Sequence, residues 1–168
     1  MRVLGLDPGL AITGYGLVEG DGQRLVSLAH GVIRTPAHTP VAKRLMLLHD
    51  ELSDLLTRFS PDVAAVEELF LDTNARTAMV VGEARGVLLL TLAQAGVPIA
   101  EYTPMQVKQA ITGYGGADKH QMQQMITLLL NLANVPTPDD AADALAISVC
   151  YHHSMRWDML LDQDGGKT

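Results

Sequence analysis

Within its first 34 residues the chain holds three strand-like runs, Val3 to Asp7, Gly14 to Val18 and Leu25 to Ile33. They are joined by Pro8-Gly9 and by Glu19-Gly-Asp-Gly22, separators with turn chemistry and no room for a crossover. Strands joined this closely run antiparallel, so the opening predicts a three-stranded meander. At Pro40 the period changes. Leu45, Leu48, Leu52, Leu55, Leu56 and Phe59 recur at helical spacing until Pro61. The short apolar run Asp62 to Glu67 follows that helix, and a strand reached through a helical crossover is expected parallel to an earlier one, here beside the first.

The same alternation continues. Residues 75 to 95 read as a second long helix and Val97 to Tyr102 as a strand. Thr103-Pro104 caps a helix running to about Thr112. Beyond the loop Gly113 to Gly116, an apolar stripe of Met122, Met125, Ile126, Leu129, Leu130 and Ala133 marks another helix. Val135-Pro-Thr-Pro138 breaks it, and a last helix is expected from Asp139 or Asp140 to about His153. The order βββαβαβααα predicts an α/β fold with a five-stranded mixed sheet and helices on both faces. A length of 168 residues fits one domain, placed at 1–154 with a flexible tail over 155–168.

Hydrophobic residues make up 48% and charged residues 18%, enough apolar material for a core. No apolar run approaches the length of a membrane span, and the first residues meet charge and Pro-Gly before any signal-peptide core. A soluble, cytoplasmic protein is expected. The single cysteine, Cys150, lies in an apolar run and reads as a buried thiol. His152-His153 lack a spaced partner pair for zinc and read as helix-end residues facing solvent or the helix dipole.

Two strands end in acids, Leu4-Gly5-Leu6-Asp7 and Ala65-Val66-Glu67-Glu68. In α/β sheets ligands bind outside the carboxyl ends of the strands, so acids there are placed for a site. The competing reading is local: Asp7 opens a turn and Glu67 or Glu68 ends a strand. Asp139-Asp140-Ala-Ala-Asp143 adds a third element, with Asp140 and Asp143 on one helical face. The dipole explains the first two acids but not Asp143, which follows two alanines and needs a partner. Four carboxylates gathered without cations would repel one another, whereas divalent metal would reconcile them. Two such ions suit phosphodiester cleavage.

These residues fall into recognisable segments. Gly5-Leu-Asp7-Pro-Gly9, Thr13-Gly-Tyr-Gly16, Val66-Glu67-Glu-Leu-Phe70 and Asp140-Ala-Ala-Asp143-Ala-Leu-Ala closely resemble the RuvC family of Holliday junction resolvases. Asn74-Ala75, Gly82 to Val87, Gln106-Val-Lys108 and Gly113 to Lys119 resemble further family segments in the same order. The resemblance implies a ribonuclease-H-like fold, a homodimer, and Mg²⁺- or Mn²⁺-dependent incision of opposed strands of a four-way DNA junction. It makes Asp7, Glu67, Asp140 and Asp143 the catalytic metal ligands, with two ions per site. Lys108 and Lys119 would meet phosphates, Phe70 would stack on a base, and Arg76 and Arg85 would lie on the DNA side. A branch-migration helicase complex is the implied partner. Glu68 stands where relatives often carry Gln, which leaves its part in metal binding open.

Twelve Lys and Arg against nineteen Asp and Glu give a net charge of −7, unusual for a partner of phosphate backbones. Two divalent ions on the four acids would offset four of those seven charges, and the remaining cations need only be clustered. Three other functions fit parts of the pattern. A non-catalytic junction-binding dimer would not need all four acids. An actin-like phosphotransferase would share the Asp7-Pro-Gly9 turn but needs a second domain. A ribonuclease-H-like nuclease on RNA–DNA hybrids differs only through the segments around Phe70, Arg85 and Lys119.

Overall fold

A computed structural model describes residues 1–21, 24–69 and 75–164, with side chains described to residue 155. The meander forms as the turn chemistry predicts: β1 (Arg2–Asp7), β2 (Ile12–Gly20) and β3 (Leu25–Arg34) pair antiparallel. The β1–β2 turn is closed by Thr13, whose buried hydroxyl donates to the Gly9 carbonyl at 2.6 Å. Helix α1 (Val41–Phe59) leads to β4 (Val63–Glu67), which lies parallel to β1 with Leu6 opposite Val66. Helix α2 (Ala75–Gln94) leads to β5 (Ile99–Tyr102), parallel to β4, and completes the sheet order β3-β2-β1-β4-β5. Helices α3 (Pro104–Thr112), α4 (Lys119–Leu129) and α5 (Asp139–Asp164) follow.

The period-2 alternation of the inner strands divides the core in two. Leu4 and Leu6 of β1 and Ala64 and Val66 of β4 pack with α1 and α2 through Leu48, Leu52, Leu88 and Leu92. Val3, Val63 and Ala65 pack on the opposite face with α3, α4 and α5, through Val107, Ile126, Leu145 and Val149. By the same alternation Asp7 and Glu67 belong to the α5 face.

That face is floored with glycine. Gly5 pairs with Gly16, and Gly14 lies opposite Asp7. A Cβ on Gly5 would collide with the Ala144 carbonyl, on Gly14 with the Asp140 carbonyl, and on Gly16 with Leu145 N at 2.7 Å. The backbone of α5 therefore rests directly on the backbone of β1 and β2. Ser148 fastens it, donating to the Val3 carbonyl at 2.9 Å.

Two readings need correction. Helix α5 continues eleven residues past His153, because Ser154 to Asp164 contain neither glycine nor proline. His152 and His153 are thus interior to the helix. His152 is 2% exposed, with Nε2 at 3.3 Å from the Val18 carbonyl, and His153 Nδ1 lies 3.0 Å from the Ala110 carbonyl. Their neighbours at helical spacing, Leu145, Ser148 and Val149, already face the sheet and carry His152 with them. Cys150 is buried as expected, and burial pushes its thiol up to about 11.

Candidate active site

At the carboxyl ends of β1 and β4, a cavity of about 230 Å³ is lined by Asp7, Glu67, Lys108, Lys119 and Asp143 among others. Asp7 and Glu67 end neighbouring parallel strands and project toward α5, which is held above them by the glycine floor. Lys108 comes from α3 and Lys119 from the first turn of α4. Glu68 is exposed and absent from the cavity wall, its amide donating to the Tyr102 carbonyl at 2.8 Å. One step along the strand turns it away from the face that Glu67 shares with Ala65.

The electrostatics are those of acids crowded away from water. Burial, reinforced by Glu67, Asp143 and Asp140, pushes Asp7 up to about 8, against the pull of Lys119. Burial and Asp143 push Glu67 up to about 7, with Lys108 opposing. Asp143 is also raised, by burial first, although Lys119 pulls it down. Asp140 contributes to the field at Asp7 but lines a separate groove of about 500 Å³, together with Gly9, Arg76 and Val80. Each of the two is lined by an acid from the first turns of α5, Asp143 in one and Asp140 in the other.

Sequence reasoning passed over the work of Asp139. Lys119 Nζ lies 3.1 Å from Asp139 Oδ2 and 3.5 Å from Asp143 Oδ2. Gln123 donates to the other Asp139 oxygen at 2.9 Å. Asp139 and Asp143 are four apart on a helix, the spacing that lets one ammonium bridge both. Asp118 caps α4 by accepting from the Gln121 amide at 2.9 Å. The pattern Asp118-x-x-Gln121 was the available signal.

The remaining expected contacts divide. Arg76 is exposed at the rim of the Asp140 groove. Arg85 is turned inward, its Nε donating to the Glu67 carbonyl at 3.2 Å and its guanidinium paired with Glu101. Phe70 lies outside the described residues.

Among the described residues no group of three or more His, Cys, Asp or Glu side chains is drawn together into a ready-made metal cage. The donor set nonetheless suits a hard divalent cation: carboxylate oxygens from three elements, with Asp7 and Glu67 held in protonation ranges that a nearby cation would reverse. Lys119 supplies part of that compensation at Asp143.

Comparison with known proteins places the chain in a family. The family model described as crossover junction endodeoxyribonuclease RuvC matches residues 3–152. The RuvC crossover junction endodeoxyribonuclease of Thermomicrobium roseum is 57% identical over 156 residues, covering 93% of this chain and 95% of that one. A Thermus thermophilus RuvC structure superposes with a TM-score of 0.86 at 38% identity, covering 94% and 97% of the two chains. A second, T. thermophilus RuvC in complex with Holliday junction substrate, matches with a TM-score of 0.85 at 35% identity, covering 94% and 96%. On sequence and fold alike, the chain belongs to the RuvC family of crossover junction endodeoxyribonucleases.

Proposed function

We propose that this chain resolves four-way DNA junctions by paired, symmetric, metal-dependent hydrolysis of phosphodiesters. The observation that carries the reading is the convergence of Asp7, Glu67 and Asp143 on one cavity flanked by Lys108 and Lys119, with Asp140 acting on Asp7 from a separate groove. A relative of the same fold has a solved structure in complex with Holliday junction substrate, which supports the substrate class.

The four acids would hold Mg²⁺ or Mn²⁺, two ions per site, supplying an activated water and a counter-charge for the leaving oxygen. Carboxylates from β1, β4 and α5 fix where the attacked phosphate sits. Lys108, beside Glu67, neutralises a neighbouring phosphate. Lys119 exchanges its hold on Asp139 and Asp143 for the DNA backbone. Arg76 extends the basic rim, and Phe70 serves as the base-stacking aromatic.

Symmetric incision needs two equivalent sites, and a two-fold dimer supplies them. The outer face of α2 suits that role. Met79 and Leu90 are 68% and 56% exposed, and a Cβ on Gly86 would meet nothing within 4 Å. A branch-migration helicase complex would deliver the junction. No described helix is long and apolar enough to cross a membrane. The test is incubation with Mg²⁺ or Mn²⁺ and either a synthetic four-way junction or an RNA–DNA hybrid duplex. Paired nicks in the junction alone are expected, and cutting of the hybrid alone overturns the reading.

A further inference from the structure

Arg85 sits behind the cavity. Glu67 closes β4, and its side chain projects to the α5 face, while Arg85 comes from α2 on the other face of the sheet. Its Nε donates to the Glu67 main-chain carbonyl at 3.2 Å. Its guanidinium pairs with Glu101 of β5, which lies opposite Val66 in the parallel register and so shares the α2 face. The Arg85 side chain is 18% exposed, against 55% for Lys119, and it does not line the cavity.

We propose that Arg85 is a positioning residue that fixes the strand end carrying Glu67, and that it is not a DNA contact. The argument rests on the nuclease reading above, in which Glu67 holds a metal ion. The fork of an arginine can engage a carbonyl and a carboxylate on two strands at once, which a lysine ammonium on a flexible stem does far less well. With both engaged, β4 and β5 are tied together just where their ladder ends. The Glu67 carboxylate then leaves from a main chain that cannot twist when a cation pulls on it. Groups that orient metal ligands from outside are worth roughly 10- to 100-fold in metal affinity or activity. Glu101 belongs to the same device, because without it the guanidinium loses its second anchor.

The experiment titrates MnCl₂ into the protein without DNA and follows loss of the free-ion paramagnetic resonance signal, for wild type, Arg85→Gln, Arg85→Lys and Glu101→Gln. Junction binding is measured in parallel as a function of salt without divalent metal. Arg85→Gln is expected to weaken Mn²⁺ binding roughly tenfold or more. Arg85→Lys and Glu101→Gln should move it less in the same direction, with the salt dependence of junction binding unchanged in all three. Wild-type Mn²⁺ affinity in Arg85→Gln overturns the proposal. So does a salt slope reduced by about one, the mark of a lost phosphate contact. A salt slope steepened by about one in Glu101→Gln would equally overturn it, by showing a released arginine reaching DNA. Thermal melting identifies a variant that fails to fold; if Arg85→Gln does, the other two decide. A wild type that binds Mn²⁺ but leaves junctions uncut overturns the function while the titrations still judge Arg85.

Discussion

The Lys119 ammonium stands 3.5 Å from the Asp143 carboxylate and holds part of the charge that a divalent cation would bring to the cavity. In the proposed site, metal on the acids would free that ammonium for a phosphate. Lys119→Ala and Lys108→Ala are therefore each expected to slow cleavage and to flatten the salt dependence of junction binding by about one unit of slope. Phe70→Ala should slow cutting with no change in slope, since base stacking, worth about 1 to 3 kcal/mol, releases no counterions. Filter binding across a salt series, paired with cleavage rates, separates the two classes.

If the proposed metal site is right, Asp7→Asn, Glu67→Gln, Asp140→Asn and Asp143→Asn should each abolish cutting while leaving junction binding intact or tighter, because each would remove a ligand of the ion and a charge that repels DNA. Glu68→Gln should still cut, its side chain lying outside the cavity. Gel-shift and nicking assays on the same junction check both statements. An inactive Glu68→Gln beside an active Glu67→Gln would move the site by one residue.

Metal-free stability should fall as pH rises. Asp7 is raised from 3.8 to about 8 and Glu67 from 4.5 to about 7, so the folded chain keeps protons that the unfolded chain has already released. That difference costs stability progressively from about pH 4 to pH 8. With chelator present, the melting temperature should be lower at pH 8 than at pH 5, and Asp7→Asn should flatten the trend. Added Mg²⁺ or Mn²⁺ should raise melting of the wild type more at pH 8 than at pH 5. A melting temperature independent of pH would contradict the crowding of these acids.

Sedimentation at micromolar concentration should show a dimer, and Gly86→Leu should weaken it. A Cβ on Gly86 meets no described residue within 4 Å, so a larger side chain there should tell chiefly against a second copy. A monomer that still cuts both strands symmetrically would remove the need for the interface. A Gly86→Leu dimer of unchanged strength would place it elsewhere.

Much of this arrangement was legible in residue order. Turn chemistry and the change of period at Pro40 predicted the meander, the parallel β4 and the alternation that follows, because each depends on local rules. Asp7 and Glu67 were legible because an acid at the end of a buried strand is expensive without a function. Boundaries were less so: α5 runs past His153 with no stop signal to mark an end, and His152 looked solvent-facing for the same reason. The contacts of Asp139 and Arg85 were hidden, since each depends on a partner far along the chain, Lys119 in one case and Glu101 with the Glu67 carbonyl in the other. Resemblance placed Arg85 beside DNA. Its contacts run the other way.

The glycine floor beneath α5 has a consequence for where this enzyme is fragile. With main chain lying on main chain, the separation between the strand-borne acids and the helix-borne acids is set by backbone thickness, and no side chain is available to yield. Inserted methyl groups in close-packed interiors typically cost about 1 to 3 kcal/mol, and the carbonyls above Gly5 and Gly14 are among the least yielding neighbours a Cβ can meet. A random-mutagenesis screen for loss of cleavage should therefore return glycines that touch no metal, water or phosphate. Alanine at Gly14 would mimic the loss of Asp140 while leaving every reactive group in the sequence.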